Sequence, residues 1–195
     1  MTLRNFKHIS ASSLTEATAI LSKGKASAIA GGTDLLGVLK DKIHAESPEL
    51  VVDLKTIPNL SYVKTGKKGL RIGALTTLTD ISKNETIRKN YALLAEAARS
   101  VASPEIRNMG TLGGNICQEP RCWYYRAPDD MFHCLRKGGS KCAALLGENR
   151  YHSIFGSVRV AVPACTQTCP GNIKIPAYMD HVRKGDLKAA ARIIL

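Results

Sequence analysis

The chain has 195 residues, enough for one substantial domain or for a domain with a fragment attached. Hydrophobic residues at 44% and charged residues at 23% exclude a disordered chain, and no apolar run approaches the ~18 residues of a membrane span. The net charge of +12 suits a basic surface that docks acidic partner subunits. It does not suit nucleic acid, because neither an aromatic-interleaved basic stripe nor a nucleic-acid motif accompanies it.

The opening MTLRNFKHIS has no apolar core and is no secretory signal. The six cysteines therefore read as metal ligands or core thiols, not as a disulfide framework, and the expected location is cytoplasmic. Residues 13–24 predict a helix. Ser13 and Glu16 form a capping box, Leu14, Ala17, Ile20 and Leu21 make the apolar stripe, and Gly24 stops it. Residues 26–30 predict a short buried strand. Gly31-Gly32-Thr33-Asp34 then turns into a helix over 35–39, with Thr33 able to cap that helix or to bind a ligand. A strand, a glycine turn and a helix in succession leave free N–H groups that favour an anion. The same sequence also serves as a plain turn.

Residues 50–54 predict a second strand. Residues 62–65 and 70–75 flank Gly66-Lys67-Lys68-Gly69 as a hairpin. Thr79 is placed to cap a short helix near Asp80–Lys83. A helix over 91–101 would bury Leu93, Leu94, Ala97 and Ala98, and Ser103-Pro104 would end it.

A glycine loop follows, RNMGTLGGNICQ. Its glycines Gly110, Gly113 and Gly114 let backbone N–H groups approach a ligand, while Thr111 and Asn115 add polar side chains. Those groups suit a phosphate or a heteroaromatic ring. Directly after it, Cys122, Cys134 and Cys142 are spread over a polar loop. Spacings of twelve and eight residues lack the paired Cys-x2-Cys of structural zinc sites, and iron–sulfur, zinc and no metal all stay open on the residues alone. His133 reads as a polar loop residue, and Trp123, Tyr124 and Tyr125 as anchors of the loop.

Three stretches, AIAGGTDLL (28–36), LRIGALTTLTDI (70–81) and IRNMGTLGGNI (106–116), together resemble the FAD-binding domain of the molybdenum hydroxylases, the medium subunit of xanthine dehydrogenase, carbon-monoxide dehydrogenase and aldehyde oxidoreductase enzymes. The resemblance implies an α+β fold. It would be a vanillyl-alcohol-oxidase-type FAD domain of two α/β subdomains over residues 1–159, C-terminally incomplete, with a short helical tail over 160–195. It implies that Ala28, Ile29, Ala30, Gly31, Gly32, Thr33, Asp34 and Leu35 wrap the FAD pyrophosphate. Ile106, Gly110, Thr111, Gly114 and Asn115 would hold the flavin side and the remaining phosphate contacts. The cysteine-rich segment, about 117–156, is similar to the insertion of the 4-hydroxybenzoyl-CoA reductase branch. That likeness implies a 4Fe-4S cluster on Cys122, Cys134 and Cys142, with Cys117 or Cys165 as candidates for the fourth ligand.

The tail PACTQTCPGNIKIPAYMDHVRKGDL resembles the start of the helical iron–sulfur domain of the glutamate synthase small subunit, with Cys165 and Cys169 as its Cys-x3-Cys-Pro element. Pro176 suits a helix first turn, Gly185 ends that helix and Asp186 caps the next. The implied role is an FAD-dependent oxidoreductase subunit that passes electrons onward. Its implied partners are a molybdopterin-containing large subunit, a 2Fe-2S small subunit and an NAD(P)H reductase module. No catalytic acid or base is expected; Asp34, Asp80 and the histidines read as structural. The alternative is an iron–sulfur docking module without functional flavin that links a partner to an NAD(P)H reductase.

Overall fold

The computed structural model describes residues 3–67, 69–152 and 175–194, and it divides into two compact units. The first unit comprises 1–40 and 46–119; the second comprises 41–45 and everything from Pro120 onward.

In the first unit, β1 (Lys7–Ser10), β2 (Ala26–Ile29) and β3 (Leu50–Asp53) form a parallel sheet in the order β1-β3-β2. β3 is central, and its Val51 and Val52 are almost fully buried, as a strand paired on both sides requires. β2 is an edge strand and only half buried, so the expectation of a buried strand over 26–30 is corrected. Helix α1 (Leu14–Leu21) packs on the sheet through Ala17, with Ile20 and Leu21 against Val52 and Ile57. Ser13 caps it by accepting from the Glu16 N–H at 3.2 Å. The return bond differs from the expected box. The Glu16 carboxylate accepts from the Ser12 N–H at 2.8 Å and its hydroxyl at 2.6 Å, one residue earlier.

After β2 the chain turns at Gly31-Gly32 into α2 (Leu35–Lys40). Asp53, at the end of β3, ties this turn to the sheet. Its carboxylate accepts from the Lys55 N–H at 2.9 Å and pairs with Lys55 Nζ at 3.1 Å. Lys55 Nζ also donates to the carbonyl of Ala30 at 3.2 Å, and His8 Nε2 lies 3.7 Å from Asp53. Burial pushes the Asp53 carboxyl up, but the N–H and ammonium of Lys55 and the imidazole of His8 together hold it below the usual range. A folded-state pKa below the unfolded value of about 3.9 adds stability that is complete above that pH and is lost as pH falls further. Acid titration of thermal stability should therefore show a loss below about pH 4 that Asp53→Asn flattens; an identical acid limb in the variant would contradict this.

The hairpin pairs β4 (Val63–Gly66) with β5 (Gly69–Ile72) in antiparallel register. Beyond it come α3 (Leu78–Lys83), α4 (Glu85–Asn90), α5 (Ala92–Ser100), α6 (Pro104–Met109) and α7 (Leu112–Ile116). A second core gathers Leu78, Ile81, Ile87, Ala95 and Ala98, with Ile72, Leu94 and Leu112 packed against it. Two expectations are corrected here. The cap of α3 is Thr77, which accepts from the Asp80 N–H at 3.1 Å, whereas Thr79 donates to Asn108 Oδ1 at 2.7 Å. The buried face of α5 is Ala95 and Ala98, while Leu93 is 80% exposed.

The second unit holds the cysteine-rich segment. It runs through a one-turn helix α8 (Trp123–Arg126) and 3-10 turns at Pro128–Asp130, Leu135–Lys137 and Ala143–Leu145. A parallel bridge joins Cys134 to Lys141. Helices α9 (Ile175–Arg183) and α10 (Leu187–Ile194) follow, packed on each other. Gly185 takes a φ of +78° between them, and Asp186 caps α10 by accepting from the Ala189 N–H at 3.0 Å. Cys165 and Cys169 lie outside the described residues. Among the described residues no helix is long and apolar enough to cross a membrane.

Candidate functional site

The β2–α2 turn forms one wall of a cleft of about 250 Å³ in the first unit. Residues 27–35 and Val38 line it, together with Thr111, Gly114, Cys117, Gln118 and Glu119. Among the described residues the N–H groups of Gly31, Gly32 and Thr33 have no hydrogen-bond partner. None of the described lining residues is Lys or Arg. Asp34 and Glu119 are among the lining residues, so any anion bound there would have to be held by backbone donors and not by side-chain charge.

The opposite wall is held by a backbone ladder. The Leu78 N–H donates to the Gly110 carbonyl at 2.9 Å, Leu112 to Thr76 at 2.9 Å and Gly113 to Ala74 at 2.8 Å. Thr76, 2% exposed, fixes the other side of that segment by bonding both the N–H and the carbonyl of Tyr62 at 3.1 Å. The expected glycine loop is thereby shortened. Residues 112–116 form α7, capped by Thr111, whose hydroxyl accepts from the Gly114 N–H at 3.2 Å. A Cβ on Gly113 would lie 3.0 Å from the Ala74 carbonyl oxygen, so glycine serves close packing there. Asp34 bonds the segment after α7, its Oδ2 accepting from the Glu119 N–H at 2.7 Å.

The cleft brings together Ala28, Ile29, Ala30, Gly31, Gly32, Thr33, Asp34 and Leu35 with Thr111 and Gly114. Ile106, Gly110 and Asn115 are not among its lining residues. Gly110 is buried beneath Thr33 and Leu78, and Ile106 is 39% exposed on α6. Sequence reasoning missed Ser27, Val38, Gln118 and Glu119, and it weighed Cys117 only as an iron ligand, not as part of this cleft. The alternation of β2 could have pointed to Ser27; no local signal marks 118–119, which arrive through the long-range bond to Asp34.

In the second unit, Cys122, Cys134, Cys142 and His152 line one pocket with Pro120, Tyr124, Tyr125 and Phe132. Cys142 Sγ lies 3.6 Å from His152 Nε2. Burial pushes the Cys142 thiol up. The Ala144 and Leu145 N–H groups oppose this, and negative charge on Cys122 and Cys134 would push it further up. The aromatic residues clamp the loop. Tyr124 meets Phe132 edge-on at 5.0 Å and accepts from the Glu148 N–H at 2.9 Å, and Trp123 stacks on Tyr151 at 5.7 Å. His133 is exposed, and its backbone carbonyl accepts from the Lys141 N–H. Among the described residues, no three of His, Cys, Asp or Glu stand close enough to hold a single metal ion.

Comparison with known proteins gives a consistent result. The family described as the FAD binding domain in molybdopterin dehydrogenase matches residues 4–145. The aldehyde oxidoreductase FAD-binding subunit PaoB of Escherichia coli is 37% identical over 147 residues, covering 75% of this chain and 44% of that protein. The nicotinate dehydrogenase FAD-subunit of Eubacterium barkeri is 38% identical over 117 residues, 58% of this chain and 39% of that one. The solved carbon monoxide dehydrogenase of Hydrogenophaga pseudoflava aligns with a TM-score of 0.55 at 34% identity, over 60% of this chain and 40% of that chain. The chain thus spans about four tenths of the length of these relatives.

Proposed function

Because the chain belongs to the family of FAD-binding domains in molybdopterin dehydrogenase, we propose that it is the FAD-binding electron-transfer component of a molybdenum-hydroxylase-like oxidoreductase. The observation that carries this reading is that Gly31, Gly32 and Thr33, whose N–H groups have no partner among the described residues, line a cleft. Such donors match a diphosphate and leave room for its close approach. Residues 28–35, Thr111 and Gly114 would hold the pyrophosphate, with Ile106, Gly110 and Asn115 on the flavin side. The fold proposed is of the vanillyl-alcohol-oxidase type. When bound, FAD supplies the ability to take electrons singly or in pairs, bridging one-electron clusters and a two-electron acceptor.

The second unit extends the proposal to a 4Fe-4S cluster on Cys122, Cys134 and Cys142. Thiolates are the ordinary ligands of such clusters, and all three line one pocket. The free space at its centre, about 20 Å³, is roughly that of one water. A cluster would therefore need the three thiols to move apart from where they stand. A single zinc ion, with Zn–S bonds of about 2.3 Å, has no ready seat among the described residues. The likeness to PaoB is too long to be contained in the first unit alone, which favours a shared second unit.

The proposed partners are a molybdopterin-containing large subunit and a 2Fe-2S small subunit, with an NAD(P)H reductase module as acceptor on the side of the tail. The rival docking module without flavin has no observation in its favour, since the family match over residues 4–145 includes every described residue that lines the cleft. Titration of the flavin-free full chain tests the reading. FAD should bind far more tightly than riboflavin, which lacks the diphosphate. Equal affinity for the two, or none for either, would overturn it.

A further inference from the structure

We infer that the face built by α3, α4, α5 and α6 docks an acidic segment of a partner protein, whose carboxylates enter a pocket ringed by Lys83, Arg88, Arg99 and Arg107. The inference goes beyond the flavin and the cluster, since no residue of this pocket lines the cleft or the cysteine pocket. The pocket has a volume of about 450 Å³, and no Asp or Glu is among its described lining residues. Asp80, Glu85, Glu96 and Glu105 belong to the same four helices, yet none of them lines it.

Each cation comes from a different helix. Lys83 ends α3, Arg88 lies in the last turn of α4, Arg99 in that of α5 and Arg107 in that of α6. A cation near a helix C-terminus complements the carbonyls there, which accounts for each one singly. It does not account for all of them around one cavity, where like charges repel. The packing of α3 on α5 and α6, and of α4 on α5, gathers them. Arg107 is fixed in place, its Nη1 donating to the carbonyls of Val101 at 2.7 Å and Ala102 at 2.9 Å. Lys83, Arg88 and Arg99 are exposed, and among the described residues none of them has an ion pair or a side-chain hydrogen bond. Thr79 orients the Asn108 amide by donating to Oδ1 at 2.7 Å, which leaves Nδ2 as a further donor at the rim.

The lining selects the occupant. Among the described lining residues Pro104 alone is apolar. A flat organic ring finds no wall to rest on there, and a nucleic acid finds no aromatic to stack against. A single small anion held by exposed cations gains little in water. A run of carboxylates on one chain makes several such pairs at once, each after the first at high effective concentration. The net charge of +12 steers a negative partner toward this chain, and the pocket gives that attraction an address.

The test uses the full chain and a fluorescent peptide of about six glutamates, roughly 20 Å long when extended. Fluorescence anisotropy should show one-to-one binding. Raising the salt from about 0.01 M to about 0.1 M, which shortens the screening length from about 30 Å to about 10 Å, should weaken it steeply. The double variant Arg88→Glu, Arg99→Glu should bind about tenfold more weakly. Lys7→Glu with Lys23→Glu makes the same change in net charge at exposed positions outside the pocket and should cost less than about threefold. Arg88→Gln with Arg99→Gln, which adds no repulsion, should fall between them. All three variants should keep the thermal melt and the FAD titration of the unaltered chain. Equal losses in the two glutamate variants would reduce the effect to diffuse charge and overturn the inference, as would no binding at all. Pyrophosphate that displaces the peptide one-to-one and binds more tightly would make this a small-anion site instead. A single-stranded oligonucleotide that does so would make it a nucleic-acid site, and either result would overturn the acidic partner.

Discussion

Replacing Gly31 with valine should strip the protein of FAD. A Cβ at this position would collide with the carbonyl oxygen of Met109 and lie 2.6 Å from its carbon and 3.1 Å from the Gly110 nitrogen. All three obstacles are backbone atoms at the α6–α7 junction, so no side chain can swing aside. The β2–α2 turn would have to retreat from the other wall of the cleft and take the N–H groups of Gly32 and Thr33 with it. Overpacking of this kind costs about 2–3 kcal/mol, or roughly 30- to 150-fold in affinity if it falls on binding. Gly32→Ala should be milder. Its Cβ would meet only the side-chain ends of Ile29 and Leu36 at 3.2 and 3.3 Å, although its φ of +73° adds strain. Flavin fluorescence titration of both variants, with thermal melts to separate binding from folding, checks the order. Wild-type affinity in Gly31→Val would contradict this geometry.

Lys137→Met should loosen the cysteine loop while leaving flavin binding intact. The Lys137 side chain is 3% exposed, and Nζ donates to the Ile43 carbonyl at 2.6 Å and to that of Ala127 at 3.3 Å. It also pairs with Asp130 at 3.6 Å and sits 5.3 Å from the centre of the Tyr125 ring. Asp130 in turn accepts from the Cys134 N–H at 2.9 Å, so the ammonium orders the backbone at a proposed iron ligand. Removing one partner of a buried pair costs about 3–5 kcal/mol; with Asp130 19% exposed, the lower end applies. Limited proteolysis should cut between residues 120 and 152 sooner in the variant, and reconstituted iron should fall. An unchanged cleavage pattern and iron content would remove Lys137 from this role.

The sequence makes the cleft of the first unit far more legible than the cysteine pocket. Residues 26–35 announce a strand, a glycine turn and a helix because each follows a local rule, and the structure keeps that order. β1 escapes notice because Lys7–Ser10 is exposed along most of its length and carries no alternation; β3 holds it by parallel pairing. The face of α5 is misread because large side chains outweigh small ones in a periodicity argument, yet alanines allow the close approach to α3. Lys137 sits in the run RKGGSK, which reads as solvated charge. Its burial depends on residues 41–45, ninety positions away in the chain, and no local pattern encodes that. The turn that carries His152 is similarly hidden, since the stack of Tyr151 on Trp123 and the bond from the Glu148 N–H to the Tyr124 hydroxyl bring it to the cysteines.

Whether one flavin and one iron–sulfur cluster share this chain can be read from a reductive titration. It would follow the purified full chain without oxygen by visible absorption and EPR, with flavin, iron and sulfide counted on the same sample. The expected result is one FAD, about four iron atoms, bleaching of the flavin bands and a cluster signal that grows as reduction proceeds. Protein that carries iron but neither retains nor rebinds flavin would contradict it.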